Sequence, residues 1–141
     1  MRGVVPADVI ALSTSPATEP FWRAASEHRL VLPRCTACAT YRFPPSPFCF
    51  HCRAQSVDWI EHDGAGTIYS FTVIRHAVIP SVADALPLIA AVVDLPGTNG
   101  CRIVGNVVDC DPADVRIGLA VTLDWYDVRA GESVPVFRVV P

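Results

Sequence analysis

The sequence predicts a mainly β protein with one N-terminal helix, a small cysteine-rich ribbon and a small closed or nearly closed barrel. Two patterns lead to this prediction. Four cysteines form two Cys-x-x-Cys pairs between residues 35 and 52, and short apolar runs alternate with turn signals from residue 57 onward. With 141 residues, 51% of them apolar and 18% charged, the chain can form one compact core plus a small appendage.

The N-terminal region is predicted to contain a tail and one short helix. Residues 1–17 show no clear periodicity, so we interpret them as a tail or a partner-binding arm. A helix is expected to begin near Thr18, which can cap free amides, with Pro20 in its first turn. Phe21 and Trp22 give this helix an aromatic stripe. Packing onto the chain's own core and contact with a second protein both remain open for this stripe.

The two cysteine pairs have the spacing of a four-ligand metal site. Cys35-Thr-Ala-Cys38 is followed by ten residues and then by Cys49-Phe-His-Cys52. Each pair closes a tight turn, so both thiols of a pair can point at one centre. Four thiolates arranged in this way provide the tetrahedral shell of a structural Zn²⁺. The sequence therefore predicts a zinc ribbon, and the nearby aromatic residues are expected to pack around the metal cluster: Tyr41, Phe43, Phe48 and Phe50.

Disulfides and iron are the alternatives to zinc. The N-terminal run Val9–Leu12 is too short for a secretion signal, so we expect a cytoplasmic protein with reduced thiols, which favours a metal over disulfides. Iron sites built from two such turns usually carry a glycine directly after the second cysteine of each turn. Here Ala39 and Arg53 stand at these positions, which favours zinc.

The C-terminal part is expected to be a five- or six-stranded barrel. A helical turn is predicted at Asp111–Asp114, between late strands, and this order fits an OB-like topology, although other small barrels remain open. We expect residues 1–32 to form the tail and helix, residues 33–56 the ribbon and residues 57–141 the barrel. The predicted strands after residue 56 are Val57–Glu61, Thr67–Ile74, Leu88–Leu95, Cys101–Val108, Val121–Val128 and Val134–Val140.

Charge and motifs exclude several functions. The net charge is −3 and all 11 basic residues are arginine, which argues against a lysine-rich polyanion binder. The longest apolar run, Leu88–Val93, is too short to span a bilayer. No nucleophile elbow, phosphate-binding glycine loop or metalloprotease helix is present. Arg75 and His76 begin a long apolar loop that ends near Leu86, but this pair alone does not define a catalytic base. We predict no catalytic residue.

The order of motifs resembles the acyl-CoA-associated OB-fold family long known as domain of unknown function number thirty-five. The resemblance runs from residue 18 to the end of the chain. It is carried by Phe21-Trp22, Leu30 to Cys35, Phe43-Pro44-Pro45, Cys49 to Cys52, Gly64 to Ser70, Val104 to Val107, Val115 to Gly118 and Pro135 to Arg138. It implies N-terminal helices, a rubredoxin-like zinc ribbon and a C-terminal OB barrel.

The resemblance also implies a partner. Members of the family accompany thiolase-like enzymes such as thiolases, synthases and an aldolase that shortens steroid side chains. It therefore implies a non-catalytic accessory subunit, with an acyl-CoA at the shared interface. Since CoA is anionic, arginines near the ribbon and the long loop are candidate phosphate contacts. The candidate ligand- or partner-binding residues are Phe21, Trp22, Arg34, Arg42, Arg53, Arg75 and His76.

Two other functions remain as alternatives. Zinc ribbons and OB folds also bind single-stranded nucleic acid, but backbone binding needs several cations along one track, which an acidic chain without lysine does not favour. The other alternative is a stand-alone acyl-CoA-binding protein.

Overall fold

The computed structural model describes all 141 residues and contains one α-helix, seven strands and three short 3₁₀ turns. None of its helices has the length and apolar character that crossing a membrane requires. The elements are α1 (Glu19–Ser26), β1 (Leu30–Cys35), β2 (Val57–His62), β3 (Ala65–Ile74), β4 (Leu88–Asp94), β5 (Arg102–Val107), β6 (Ala120–Arg129) and β7 (Glu132–Val139), with 3₁₀ turns at Ala7–Val9, Pro80–Ala85 and Pro112–Asp114.

Five strands form a closed barrel in the order β3-β4-β5-β7-β6. All neighbours are antiparallel except β5 and β7, which run parallel. This order and the single parallel pair are the OB topology, and they confirm the predicted barrel. Alternate residues of β4 and β5 point inward, which places Val93 and Ile103 beside the fully buried Phe137 of β7 in one apolar core.

Strand β2 pairs with β1 and lies outside the barrel. Their two-stranded antiparallel sheet runs from Leu30 opposite His62 to Cys35 opposite Val57. The ribbon between the two strands therefore begins and ends at one edge of this sheet. Because β3 follows β2 after only two residues, the sheet also connects the ribbon directly to the barrel.

Helix α1 packs its apolar stripe inward. Phe21, Ala24 and Ala25 are buried, and Phe21 belongs to the same core as the barrel strands. The predicted cap is absent, because the Thr18 hydroxyl makes no hydrogen bond to the first turn of α1. Its oxygen instead accepts from the Ser15 N–H at 2.9 Å, which closes a turn before the helix.

The N-terminal arm, residues 1–17, lies against the barrel. The Arg2 N–H donates to the Asp109 carboxylate at 2.6 Å, and the Arg2 carbonyl accepts from the Asp109 N–H at 3.0 Å. Further along, the Arg129 guanidinium donates to the carbonyls of Ala7 and Ile10. The arm is thus attached at two points through its backbone.

Candidate metal centre and partner-binding surfaces

The four ribbon cysteines form one cluster. Their sulfurs all lie within 4.8 Å of one another, with Sγ–Sγ distances of 3.5 Å for Cys35–Cys52 and 3.6 Å for Cys38–Cys49. A tetrahedron with Zn–S bonds of about 2.3 Å has edges of about 3.8 Å. The cluster therefore has the donor set and the size that a tetrahedral Zn²⁺ needs, and the prediction of a four-cysteine zinc ribbon is confirmed.

Local backbone geometry turns each cysteine pair toward the centre. In the first turn the Ala39 N–H donates to the Cys35 carbonyl at 2.9 Å, and in the second the Arg53 N–H donates to the Cys49 carbonyl at 2.9 Å. Ala39 and Arg53 have φ values of 61° and 68°. Both turns therefore keep the left-handed backbone that favours glycine at this position, although neither residue is a glycine.

The pKa values of the Cys38 and Cys52 thiols are shifted in opposite directions. Hydrogen bonds from the Thr40 hydroxyl and backbone lower the pKa of Cys38 to about 5. At Cys52 the Ala54 amide favours the thiolate, but the Cys35 thiol and burial outweigh it and raise the pKa to about 11. Four sulfurs this close cannot all carry a negative charge without a cation. A Zn²⁺ held by the four cysteines would supply that positive charge and crosslink the two turns.

Arg42 is an internal part of the ribbon. It is 3% exposed, and its guanidinium donates to the Ala54 carbonyl at 3.0 Å and to the Gln55 carbonyl at 2.7 Å. These carbonyls follow the second cysteine turn, so the side chain ties the end of the ribbon to the segment between the turns. Two of its donors are used within the chain and the residue is buried, which places Arg42 away from the surface that an anionic ligand could reach.

The other predicted cationic residues lie on different elements of the chain. Arg34 is half-buried on β1, and Arg75 and His76 are exposed just after β3; none of these three side chains forms a hydrogen bond or ion pair. Arg53 is exposed and donates to the Phe50 carbonyl. Arg34, Arg75 and His76 thus carry no partner within the chain, whereas Arg53 has one.

The aromatic residues divide between the core and the surface. Phe21 stacks edge-on against Trp22 and Phe43, with ring centroids 4.9 Å and 5.3 Å apart. Phe43 thereby connects the ribbon to α1. In contrast to the expected packing around the metal, Phe48 and Phe50 are 56% and 67% exposed. They flank Cys49 in sequence and give the ribbon an apolar outer surface.

An apolar groove lies beside α1, and the sequence patterns did not reveal it. Its volume is about 630 Å³, and it is lined by Phe21 and Trp22, by the Pro44-Pro45 loop of the ribbon and by residues 102–106 of β5. At its edge the Arg102 guanidinium lies 3.7 Å from the centre of the Tyr69 ring and donates to Asp94 at 2.6 Å. The groove combines segments that are distant in sequence, so no local pattern predicts it.

A polar chain joins the end of α1 to the barrel. His28 Nε2 lies 2.7 Å from Asp127 Oδ1, and the Ser133 hydroxyl donates to the same oxygen at 2.6 Å. The His28 ring also stacks on Trp125, with centroids 6.0 Å apart. Ser133 contacts the carboxylate rather than the imidazole, so this arrangement does not pair a nucleophile with a base. It connects β7, β6 and His28 in the turn after α1.

The fold and the cysteine cluster together define a zinc-ribbon protein with an OB barrel. Two family models agree with this division: "ChsH2, rubredoxin-like zinc ribbon domain" matches residues 22–58, and "ChsH2, C-terminal OB-fold domain" matches residues 59–126. The chain belongs to the DUF35 family. This confirms the resemblance that its motifs indicated.

Three similar proteins show how the chain relates to this family. A "DUF35 domain-containing scaffold protein" of Methanocaldococcus jannaschii is 34% identical over 71% of this chain and 70% of the relative. A "Probable enoyl-CoA hydratase alpha subunit" of Thermomonospora curvata is 42% identical over 84% of this chain. The chain spans only 36% of the length of that second relative. A solved structure described as "Ltp2-ChsH2(DUF35) aldolase" matches with a TM-score of 0.80 and 37% identity, over 92% of this chain and 98% of the other.

Proposed function

We propose that this chain is a non-catalytic accessory subunit of a thiolase-like enzyme that acts on acyl-CoA thioesters. The observation that carries the proposal is the match, over nearly the full length of both chains, to a chain of the "Ltp2-ChsH2(DUF35) aldolase". That description names two components in one aldolase. The scaffold name of the Methanocaldococcus jannaschii relative supports a role in assembly.

Features of the chain itself support a binding role. Four cysteine ligands complete the shell of a structural zinc site and leave no position for a substrate or a reactive water. Phe48 and Phe50 place two large apolar side chains on the surface of the ribbon, a feature typical of protein interfaces. We infer that this surface contacts the partner enzyme.

We further propose that an acyl-CoA lies near the interface. Arg34 and Arg75 have no anionic partner within the chain, so their guanidinium groups are available for phosphates. Isothermal titration with a medium-chain acyl-CoA tests this step. We expect weak binding to the chain alone and tighter binding to the complex; tight binding to the chain alone would instead identify a stand-alone acyl-CoA-binding protein.

Co-expression with a thiolase-like enzyme encoded beside this chain tests the accessory role. We expect the two proteins to co-purify, and we expect the enzyme to lose solubility or activity when it is expressed alone. Phe48→Ser/Phe50→Ser should weaken the complex, whereas Ile117→Ser, which changes an exposed apolar side chain of the barrel region, should not. Full activity of the enzyme alone, with no co-elution, would rule out the proposal.

A further inference from the structure

Strand β5 has an open edge. It pairs with β4 along its whole length, from Arg102 opposite Asp94 to Val107 opposite Ile89. On its other side it pairs with β7 only at its last two residues. Outside the strand ladders, no backbone hydrogen bond reaches residues 102–105. Most of β5 therefore presents a strand edge inside a barrel that is otherwise closed.

Pro135 explains why the β5–β7 ladder stops. The parallel register places Asn106 opposite Val136. Two residues earlier, the same register would place Val104 opposite Val134. The Val104 carbonyl would then accept a hydrogen bond from the backbone N–H of residue 135. Proline has no N–H, so that hydrogen bond cannot form. Pro135 therefore accounts for the missing hydrogen bond at the Val104 carbonyl.

The free backbone groups belong to Arg102 and Val104. Just before β5, the Leu95 N–H donates to the Cys101 carbonyl at 3.1 Å, toward β4. Residues of an antiparallel strand alternate between those that bond to the partner strand and those that turn away from it. The odd-numbered residues of β5 therefore bond to β4, and the N–H and C=O groups of Arg102 and Val104 point to the opposite side.

These groups face the apolar groove. Five successive residues, Arg102–Asn106, line it. Since side chains alternate along a strand, a wall lined by successive residues exposes its backbone. Trp22 of α1, Pro44 of the ribbon and Val134 near the start of β7 also line the groove.

The chain's own N-terminal arm does not satisfy this edge. Val4 and Val5 line the groove, so the arm comes close to it. The hydrogen bonds of the arm, however, are made to Asp109 and to the Arg129 guanidinium. Arg102 and Val104 therefore lie outside the ladder with β7 and are not paired by the arm.

We propose that the β5 edge accepts an extended segment of the partner enzyme as an added strand. The added backbone would bond to Arg102 and Val104, and every second side chain would enter the groove between Trp22 and Val134. A segment of about four residues, roughly 13 Å long, is sufficient to reach both residues. This inference rests on the accessory role proposed above and assigns the contact that holds the partner.

An extended peptide fits the groove better than an acyl chain does. An acyl chain has no hydrogen-bonding groups. It would therefore displace water from the backbone of Arg102 and Val104 without replacing the hydrogen bonds that the water makes there.

Hydrogen–deuterium exchange at single-residue resolution, on the free chain and on the purified complex, tests the proposal. In the free chain the amides of Arg102 and Val104 should exchange fast, while those of Ile103 and Gly105 should be protected by β4. In the complex Arg102 and Val104 should slow by at least 100-fold. If a complex forms but both amides still exchange fast, strand addition is wrong and the accessory role is unaffected. If no complex forms, both proposals are wrong.

The same hydrogen-exchange measurement distinguishes a partner segment from two other possible occupants of the groove, an acyl-CoA and a second copy of this chain. If a medium-chain acyl-CoA alone shields the groove side chains while both amides stay fast, the groove is a lipid site and strand addition is wrong. If the free chain at high concentration already protects both amides, and dilution removes that protection, the edge pairs with a second copy and the proposal is also wrong.

A backbone variant provides an independent test. Val104→Pro removes the N–H that faces the groove, at a position where the side chain is 63% exposed and the strand edge is free. It should weaken the complex by about tenfold, from one lost hydrogen bond plus the bulk of the ring. The control Val104→Thr keeps the N–H and should bind within about twofold of the original chain. If thermal unfolding shows that Val104→Pro is folded and it binds equally well, the proposal is refuted.

Discussion

Replacing Arg42 by methionine should loosen the zinc ribbon. The change keeps a long apolar stem in the 3% exposed site but removes both donors to the carbonyls of Ala54 and Gln55. Hydrogen bonds from a charged group contribute about 1.5–3 kcal/mol each, so about 3–6 kcal/mol is lost. Part of this loss is offset, because the Arg42 Nε–H is buried without a partner and its removal returns about 1–3 kcal/mol. We expect a net cost of about 2–3 kcal/mol.

Native-state hydrogen exchange at the ribbon measures this cost. The Cys49 N–H donates to the Ala54 carbonyl at 2.8 Å, the same carbonyl that Arg42 contacts, so its exchange reports opening of the second cysteine turn. A loss of about 2 kcal/mol should speed that exchange by about 30-fold. Release of zinc to a chromogenic chelator should accelerate in parallel.

Arg34→Met is the matched control, because Arg34 carries the same side chain in the same region but makes no hydrogen bond or ion pair. It should change stability by no more than about 0.5 kcal/mol. If Arg42→Met exchanges within about threefold of the original chain, or if Arg34→Met has an equal effect, the two carbonyl contacts do not hold the ribbon together.

Three further predictions concern the metal, the barrel surface and the complex. Cys49→Ser should lower the zinc-to-protein ratio from one to near zero and remove exchange protection in the ribbon, while the barrel strands keep theirs. Hydrogen bonding to Arg138 holds the pKa of Asp124 below its ordinary 3.8, so this pair stabilises the fold above pH 4 and is lost as acid protonates Asp124. Arg138 also pairs with Asp109, whose pKa is likewise lowered, so Arg138→Met should lower stability by about 1 kcal/mol at pH 6 and by progressively less as the pH falls below 4, measured by urea unfolding. Zinc release should be slower in the complex with the partner enzyme than in the free chain; equal rates would show that the partner does not stabilise the ribbon.

Most strands could be predicted from alternation and turn signals. The run predicted as Leu88–Leu95 forms a strand over Leu88–Asp94, and the run predicted as Val121–Val128 forms one over Ala120–Arg129. These runs are delimited by glycine, proline and acidic turn residues, whose conformational preferences act locally. The cysteine spacing was equally informative, since two tight turns determine where four sulfurs can point.

Tertiary pairing could not be predicted in the same way. The apolar pattern at Val57 indicated a strand but not its partner, and β2 pairs with β1 because the ribbon brings the two segments together. Arg42 lies in a proline-rich loop whose composition suggests exposure, and only the folded ribbon places two carbonyls against its guanidinium. The missing N–H of Pro135 matters only once β5 and β7 are known to be parallel neighbours.

The metal centre and the groove are parts of one structure. Pro44 and Pro45 line the groove and lie between the two cysteine turns, and Phe43 just before them contacts Phe21 of α1. Closing the ribbon around zinc therefore also positions one wall of the groove. A segment bound against β5 would contact that wall only in the closed state of the ribbon. Because binding free energies are reciprocal, a partner that prefers the closed ribbon must also tighten its hold on the metal. We therefore expect the zinc site to affect partner binding through the position of this wall.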